Sequence, residues 1–299
     1  MLRRLTAPAL TTIAVVVCSF GVAAQEKSPI EATLFDVTGQ PGNVVRLEVS
    51  CTCEGSRATA TVFGRDVPLL RDGSRWRGLI GIDLNVTAGK YPIALSVESD
   101  GTPALAMTRD LVVVNRQFPV RRLTVAPAFV DPPKNEIERI ARESATLQAL
   151  FQGALTPRQW HGGFLPPVRE PANSSFGSRS VFNGQSRNPH SGADFGARKG
   201  TPVAAPAAAV VALAAPLYFT GNTVVLDHGL GLYSLLAHLS DITVKEGDVI
   251  QRGHVVGAVG ATGRVTGPHL HWGVQLNGAR VDPLSLIAVT KDYEALPAR

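Results

Sequence analysis

Short stretches of alternating apolar and polar residues, repeatedly cut off by glycine and proline, run through most of this chain. Val44-Val45-Arg46-Leu47-Glu48-Val49, Ala58-Thr59-Ala60-Thr61-Val62-Phe63 and Tyr91-Pro92-Ile93-Ala94-Leu95-Ser96-Val97 are examples from its first half. Successive side chains of a strand point to opposite faces, so such stretches build sheets with one apolar face. Breakers such as Gln40-Pro41-Gly42, Asp72-Gly73 and Ala88-Gly89-Lys90 separate them. With 29 glycines and 21 prolines in 299 residues, strands and turns are favoured over long helices. An apolar fraction of 44% against 18% charged residues is that of a packed globular protein, not a disordered one.

The pattern divides the chain. Residues 25–118 hold several strands at the spacing of a small antiparallel sandwich, immunoglobulin-like in size, without a cluster of reactive side chains. A binding, spacing or shielding module is expected there. Residues 119–172 form a linker with a helix. Asp131-Pro132-Pro133 ends the strand pattern, Asn135 is placed to cap the helix with Glu138 completing a capping box, and Gly153 is a natural stop. Ile137, Ile140, Ala141, Ser144, Leu147 and Phe151 give that helix one apolar stripe. Residues 173–288 return to strands and tight turns, with candidates at 203–214, 222–226, 231–239, 254–259 and 269–276 and no convincing helix; residues 289–299 are a tail. The expected fold is all-β: an N-terminal immunoglobulin-like sandwich, a connecting helix and a C-terminal antiparallel β domain.

Residues 1–24 read as a secretory signal peptide. Arg3 and Arg4 lead an apolar stretch, residues 7–20, that is shorter than the roughly 20 residues needed to span a bilayer. Val22-Ala23-Ala24 then offers the small residues at which a signal is cut, and Cys18 lacks the small residues that precede a lipidated cysteine. The expected location is outside the cytoplasm, periplasmic or in the cell envelope. Losing Arg3 and Arg4 lowers the formal net charge from +5 to +3. The basic residues are dispersed and not interleaved with aromatics, so nucleic acid is a poor partner, while an anionic polymer such as a cell wall fits. Cys51 and Cys53 remain, two apart on a strand, where a disulfide would be strained. They are read as a structural thiol pair or a local disulfide.

Among the 7 histidines, four fall in the second β domain in company that suggests a metal. His190 and Asp194 stand in Asn188-Pro189-His190-Ser191-Gly192-Ala193-Asp194-Phe195-Gly196, His238 in Leu236-Ala237-His238-Leu239-Ser240, and the other two in Gly267-Pro268-His269-Leu270-His271-Trp272. Residues two apart on a strand share a face, so His269 and His271 look into one space. One can hold a metal while the other faces the reacting group. Two histidines and one carboxylate, with a position left for water, suit catalytic zinc, which would bring the pKa of its water to roughly 7. The His-Glu-x-x-His motif of many zinc peptidases is absent, and no glutamate neighbours these residues. Protons must then be handled by histidines that are not ligands, His238 and the spare member of the pair. A lone histidine in a β domain is usually structural, and His-x-His recurs by chance; the collection in one exported domain carries the reading. His161 and His254 are read as surface or loop residues, and His228, in Asp227-His228-Gly229, as a turn or supporting residue.

Residues 174–283 resemble the lysostaphin-type (LytM-like) zinc metallopeptidases. The matching pieces are Ser175-Phe176-Gly177-Ser178-Arg179 with Phe182-Asn183-Gly184, His190-x-x-x-Asp194, Gly200-Thr201-Pro202-Val203, Asp227-His228-Gly229, His238-Leu239-Ser240, Gly247-Asp248, Gly260-Ala261-Thr262-Gly263-Arg264, Thr266 to Trp272 and Val281-Asp282-Pro283. One departure is Leu236, where relatives commonly carry tyrosine; it is read as a packing position. The resemblance implies zinc ligands at His190, Asp194 and His271 and catalytic histidines at His238 and His269. It implies an exported Zn2+ endopeptidase that hydrolyses peptide cross-links of bacterial peptidoglycan with metal-activated water, and location tilts the expectation to a periplasmic D,D-endopeptidase. The rivals are a non-enzymatic activator of a cell-wall amidase, which would lack ligands that are present here, and a secreted general metalloprotease.

Overall fold

The computed structural model describes residues 32–293 apart from 35–36, 52–55, 73–74, 100–101, 125–131, 174 and 187. The expected signal peptide, Cys53, the side chain of Cys51 and residues 294–299 lie outside the described residues.

Nine strands come first: β1 (Ala32–Leu34), β2 (Val37–Gly39), β3 (Val44–Cys51), β4 (Ser56–Val62), β5 (Arg65–Pro68), β6 (Leu70–Asp72), β7 (Arg75–Gly81), β8 (Gly89–Ser99) and β9 (Thr102–Val113). They make two sheets, in the orders β1-β3-β7-β6 and β2-β9-β8-β4-β5, antiparallel except where β2 meets β9. Alternation decides which face goes inward. In β3, Leu47 and Val49 are wholly buried, while Arg46 and Glu48 share the other face and pair at 3.6 Å. Ala58, Ala60, Ile93, Leu95 and Val97 of the second sheet close the core over them.

The remainder holds β10 (Val120–Leu123), α1 (Ile137–Phe151), β11 (Arg179–Phe182), β12 (Gln185–Ser186), β13 (Gly192–Phe195), β14 (Pro202–Ala204), β15 (Ala209–Leu217), β16 (Gly221–Gly229), β17 (Leu232–Ile242), β18 (Val249–Ile250), β19 (Val255–Val259), β20 (Leu270–Leu276), β21 (Ala279–Val281) and α2 (Pro283–Thr290). The main sheet runs β13-β20-β17-β16-β15-β18, with β21 on β20 and β19 joining β17 to β14. The chain is thus mostly β, as its alternation predicts, and the second domain's sheet is antiparallel.

The structure differs from the sequence reading in four places. The stretch 203–214 is not one strand: Pro206, without an N–H for the ladder, falls in the break between β14 and β15. Asn135 does not cap α1. A 3-10 turn over Lys134–Glu136 precedes the helix, Glu136 takes the cap position without a side-chain bond, and Arg139 pairs with both Glu136 and Glu143. Residues 283–290, where no helix was expected, form α2, with the Asp282 carboxylate accepting from Leu284 N and Pro283 leading the helix. Finally, residues 160–168, read only as part of the linker 119–172, pack inside: Trp160, Phe164 and Val168 fill the second core.

The two cores also meet. Val44 and Leu79 of the front sandwich belong to the second core. Arg280 grips Asp83 through Nε at 3.0 Å and Nη2 at 2.8 Å, and its backbone N–H adds a third bond at 2.9 Å. Among the described residues, no helix is long and apolar enough to cross a membrane.

Candidate metal centre

Strand β20 organises the site. Its period of two buries Leu270 and Trp272 completely on one face and turns His271 to the other. On one side β13 places Asp194 directly opposite His271; on the other, β17 places Ala237 opposite it, which brings His238 alongside. His269 lies just before β20, in a bridge with Gly260. His190 belongs to no strand and enters from the segment before β13.

Three atoms converge. His190 Nε2 and His271 Nδ1 each lie 3.0 Å from Asp194 Oδ1, and 3.1 Å from one another. These three residues are the described group able to hold a metal ion. His190 Nδ1 lies 3.2 Å from the Ser175 carbonyl, to which it donates. In the neutral ring Nε2 then carries a lone pair, aimed at a carboxylate oxygen and a second imidazole nitrogen. Such an arrangement is repulsive unless a proton or a metal cation is shared. A tetrahedral zinc about 2 Å from each donor spaces donors roughly 3.3 Å apart, close to the separations here. The donor set therefore fits the metal.

The electrostatics agree. Burial alone would raise the Asp194 carboxyl, but hydrogen bonds from His190 and His271 and the charge of both rings hold it far below the usual carboxylate range. Burial pushes His271 below its ordinary value despite its bond to Asp194. Without metal those rings hold Asp194 as N–H donors; a bound cation would take the place of the protons and leave an ionised carboxylate between neutral imidazoles, the protonation state of a ligand set. Gly192 makes the space: a side-chain carbon there would sit 2.6 Å and 2.7 Å from His271 Cε1 and Nε2.

His238 and His269 face the same centre. Their rings are 4.8 Å apart, the His238 ring is 6.0 Å from that of His271, and His269 Nε2 is 4.0 Å from Asp194 Oδ1. Each anchors Nδ1 on a carbonyl, His238 on Thr262 and His269 on Gly267, both at 2.9 Å. Burial and the neighbouring His271 push His238 down to about 4, against the pull of the Thr262 carbonyl. His238 has φ +63°, unusual for a non-glycine, at a point where the pairing of β17 with β16 and β19 is irregular. Its N–H bond to the Thr220 carbonyl, 2.8 Å, holds that conformation.

All five residues singled out in the sequence thus gather in one place. His161 and His254 are exposed and outside it. His228 is not in a turn: it is fully buried in β16, bonded to the Ala208 carbonyl and Ser234 Oγ, which also accepts from Trp272 Nε1. Sequence reasoning missed Ser175, whose carbonyl orients His190 and whose hydroxyl lies 3.5 Å from Asp194 Oδ2. A backbone carbonyl leaves no mark in a sequence.

The model of Peptidase family M23 matches residues 188–283, a span containing all five residues. A crystal structure of a peptidase M23 from Pseudomonas aeruginosa superposes with a TM-score of 0.66 at 36% identity, covering 83% of this chain and 95% of that one. The DD-carboxypeptidase/endopeptidase Mpg of Neisseria meningitidis serogroup B is 40% identical over 136 residues, 45% of this chain and 31% of its own. The peptidoglycan DD-endopeptidase ShyA of Vibrio cholerae is 42% identical over 96 residues, 32% of this chain and 22% of its own. The chain spans about a third or less of the length of these two curated relatives.

Proposed function

The chain belongs to peptidase family M23, and from that premise we propose that it is an exported zinc endopeptidase cutting peptide cross-links of peptidoglycan, with periplasmic D,D-bonds as its substrate. The single observation that carries this reading is the convergence of His190 Nε2, His271 Nδ1 and Asp194 Oδ1 beside two further histidines. Relatives named as a DD-carboxypeptidase/endopeptidase and as a peptidoglycan DD-endopeptidase support the choice of substrate class.

His190, Asp194 and His271 would hold the metal. When bound, zinc supplies Lewis acidity that polarises a scissile carbonyl and acidifies water. The remaining chemistry falls to His238 and His269. With Nδ1–H committed to a carbonyl, each neutral ring offers Nε2 as a proton acceptor. The low pKa of His238, about 4, keeps it neutral near pH 7 and so able to take the proton of an attacking water at Nε2. Once protonated, a ring at this position donates to the developing oxyanion or returns the proton to the leaving amine. The side chains of His190, Asp194 and His269 are about a quarter exposed, which suits a polymeric substrate laid across the site.

The test is direct. Purified chain is assayed for zinc content and for release of fragments from defined peptidoglycan, with mass spectrometry identifying the bond cut. His271→Ala and Asp194→Ala are expected to lose both zinc and hydrolysis. Retention of both would overturn the reading, and cleavage of casein but not wall would replace the substrate with protein.

A further inference from the structure

We propose that Arg116 and Phe118, which lead out of the front sandwich, are positioning residues for His190 and so govern how tightly and in what geometry the metal is held. This rests on the metal reading of His190, Asp194 and His271 given above.

The three ligands are held in different ways. Asp194 and His271 stand on paired strands of the main sheet. His190 depends on residues 175–178. Its carbonyl accepts from Gly177 N at 2.7 Å, its N–H donates to the Ser178 carbonyl at 2.9 Å, and its ring donates to the Ser175 carbonyl at 3.2 Å. The orientation of that imidazole is therefore the orientation of the 175–178 segment.

That segment is no strand, yet all four of its residues are buried. The front domain and the irregular segment 114–119 that leaves it help to bury it. The Phe176 ring lies so close over Gly42 that any side chain at position 42, already at φ +87°, would overlap it. Phe118 meets Phe176 edge-on, with centroids 6.3 Å apart at 66°, and covers Gly177 just as closely. The Arg116 guanidinium lies over both rings, 4.9 Å from the Phe118 centroid and 5.7 Å from that of Phe176. Arg116 is itself fixed, by the Pro41 carbonyl at 3.2 Å and the Asp282 carboxylate at 3.3 Å. Beyond it, the Pro119 carbonyl accepts from Arg179 N at 2.9 Å and β10 runs parallel to β11. The irregular segment 114–119 that leaves the front domain thus packs on the His190 segment, while the other two ligands have the main sheet.

The consequence is specific. Weakening the Arg116–Phe118–Phe176 stack frees one ligand of three and leaves the sheet intact. Groups that orient a ligand change metal affinity by about 10–100-fold when removed. The experiment uses the full chain: zinc affinity by competition with a chromophoric chelator, the visible absorption of the Co2+-substituted protein, and thermal unfolding of the metal-free form. Phe118→Ala and Arg116→Ala are expected to weaken zinc by about 10–100-fold and to shift the Co2+ bands. Phe118→Tyr, which keeps the ring, is expected to restore both. Arg65→Ala, which cuts the Arg65 bond to the Asn277 carbonyl at another contact between the two domains, is expected to change neither. Phe118→Leu is measured alongside, so that a poorly folded alanine variant still leaves a readout. Unchanged zinc affinity and Co2+ bands in Phe118→Leu and Arg116→Ala would overturn the proposal. If instead His190→Ala and Asp194→Ala bind zinc like the unaltered chain, it is the metal reading that fails.

Discussion

The two β domains are built from the same kind of alternating stretch, yet their interiors are stocked differently. The buried side chains of the front sandwich are apolar among the described residues: Leu47, Val49, Ile82, Ile93 and Leu111 are at its centre. The second domain buries Ser175, Ser178, Thr223, His228, Ser234, His238 and Thr290. A polar group is costly in a core unless it is hydrogen-bonded. Those for which the bond matters most have one: His228 to Ala208 and Ser234, His238 to Thr262, Thr290 to Leu286. One sheet stack is a support whose sequence need only be apolar and well sized. The other keeps polar groups inside, among them His238 of the site and the His228–Ser234–Trp272 chain that ties β16 and β17 to β20.

Glycine substitutions should break this contrast most sharply. Gly192→Ala puts a carbon 2.5 Å from the Trp272 carbonyl and against the His271 ring, so β13 and β20 must part where Asp194 faces His271. Hydrolysis is expected to fall by about 100-fold or more, the scale on which a 1 Å misplacement acts. Gly89→Ala in the front sandwich meets nothing closer than 3.7 Å and is expected to leave hydrolysis unchanged. Assaying the two side by side, with zinc content, checks the difference.

The front core should respond in stability alone. Ile93 is fully buried in β8. Ile93→Ala is expected to cost about 2–5 kcal/mol in denaturant unfolding, while zinc affinity of the folded protein stays where it was. A loss of affinity matching the Arg116 or Phe118 variants would mean that any damage to the front sandwich reaches the metal, and the distinction between support and stack would fall.

Much of this architecture is legible in the sequence because it depends on periodicity. Alternation in 44–49 and 91–97 becomes β3 and β8, and the two-residue spacing of His269 and His271 sets one in the bridge just before β20 and the other on β20 itself, both towards the site. Neighbouring strands bring in the rest: Asp194 reaches His271 by cross-strand register, which no spacing along the chain reveals. The Asp282-Pro283 start of α2 was present as a cap and a first-turn proline, but the short run after it lacks a helical stripe. Trp160, Phe164 and Val168 were hidden because plugging residues in an irregular passage have no period. The stack of Arg116, Phe118 and Phe176 joins residues far apart in sequence and left no local signal at all.

A smaller effect separates the domains by acid. His228, fully buried, is pushed down to about 4 by burial, with the Ala208 carbonyl opposing. Because its unfolded value is near 6.5, the unfolded chain binds a proton between those limits that the folded chain does not. Its contribution to stability is therefore complete above about pH 6.5 and is lost as pH falls towards 4. His228→Gln, neutral and able to keep both hydrogen bonds, is expected to flatten the stability profile in that window by up to about 1.4 kcal/mol per pH unit. Denaturant unfolding at several pH values measures it. An unaltered slope would show that the acid sensitivity of the chain comes from elsewhere.

The smallest change tests a contact between the domains that lies away from the metal. Asp83 would be raised by burial, but the side-chain and backbone bonds from Arg280, with one from Asn85, bring it below its ordinary value. A lowered carboxylate adds stability that is present above roughly pH 4 and disappears as pH falls below it. The side chains are 29% and 23% exposed, so solvent screening limits what the pair contributes. Asp83→Asn is expected to cost about 1 kcal/mol at pH 7 and progressively less below pH 4. Arg280 sits on β21, at the edge of the main sheet, whereas the Arg116 stack bears on the segment that orients His190. Zinc affinity in Asp83→Asn should therefore match the unaltered chain even though an interdomain bond is gone. If this substitution weakened zinc as much as Phe118→Ala, the coupling would run through the whole contact surface and not through one aromatic stack.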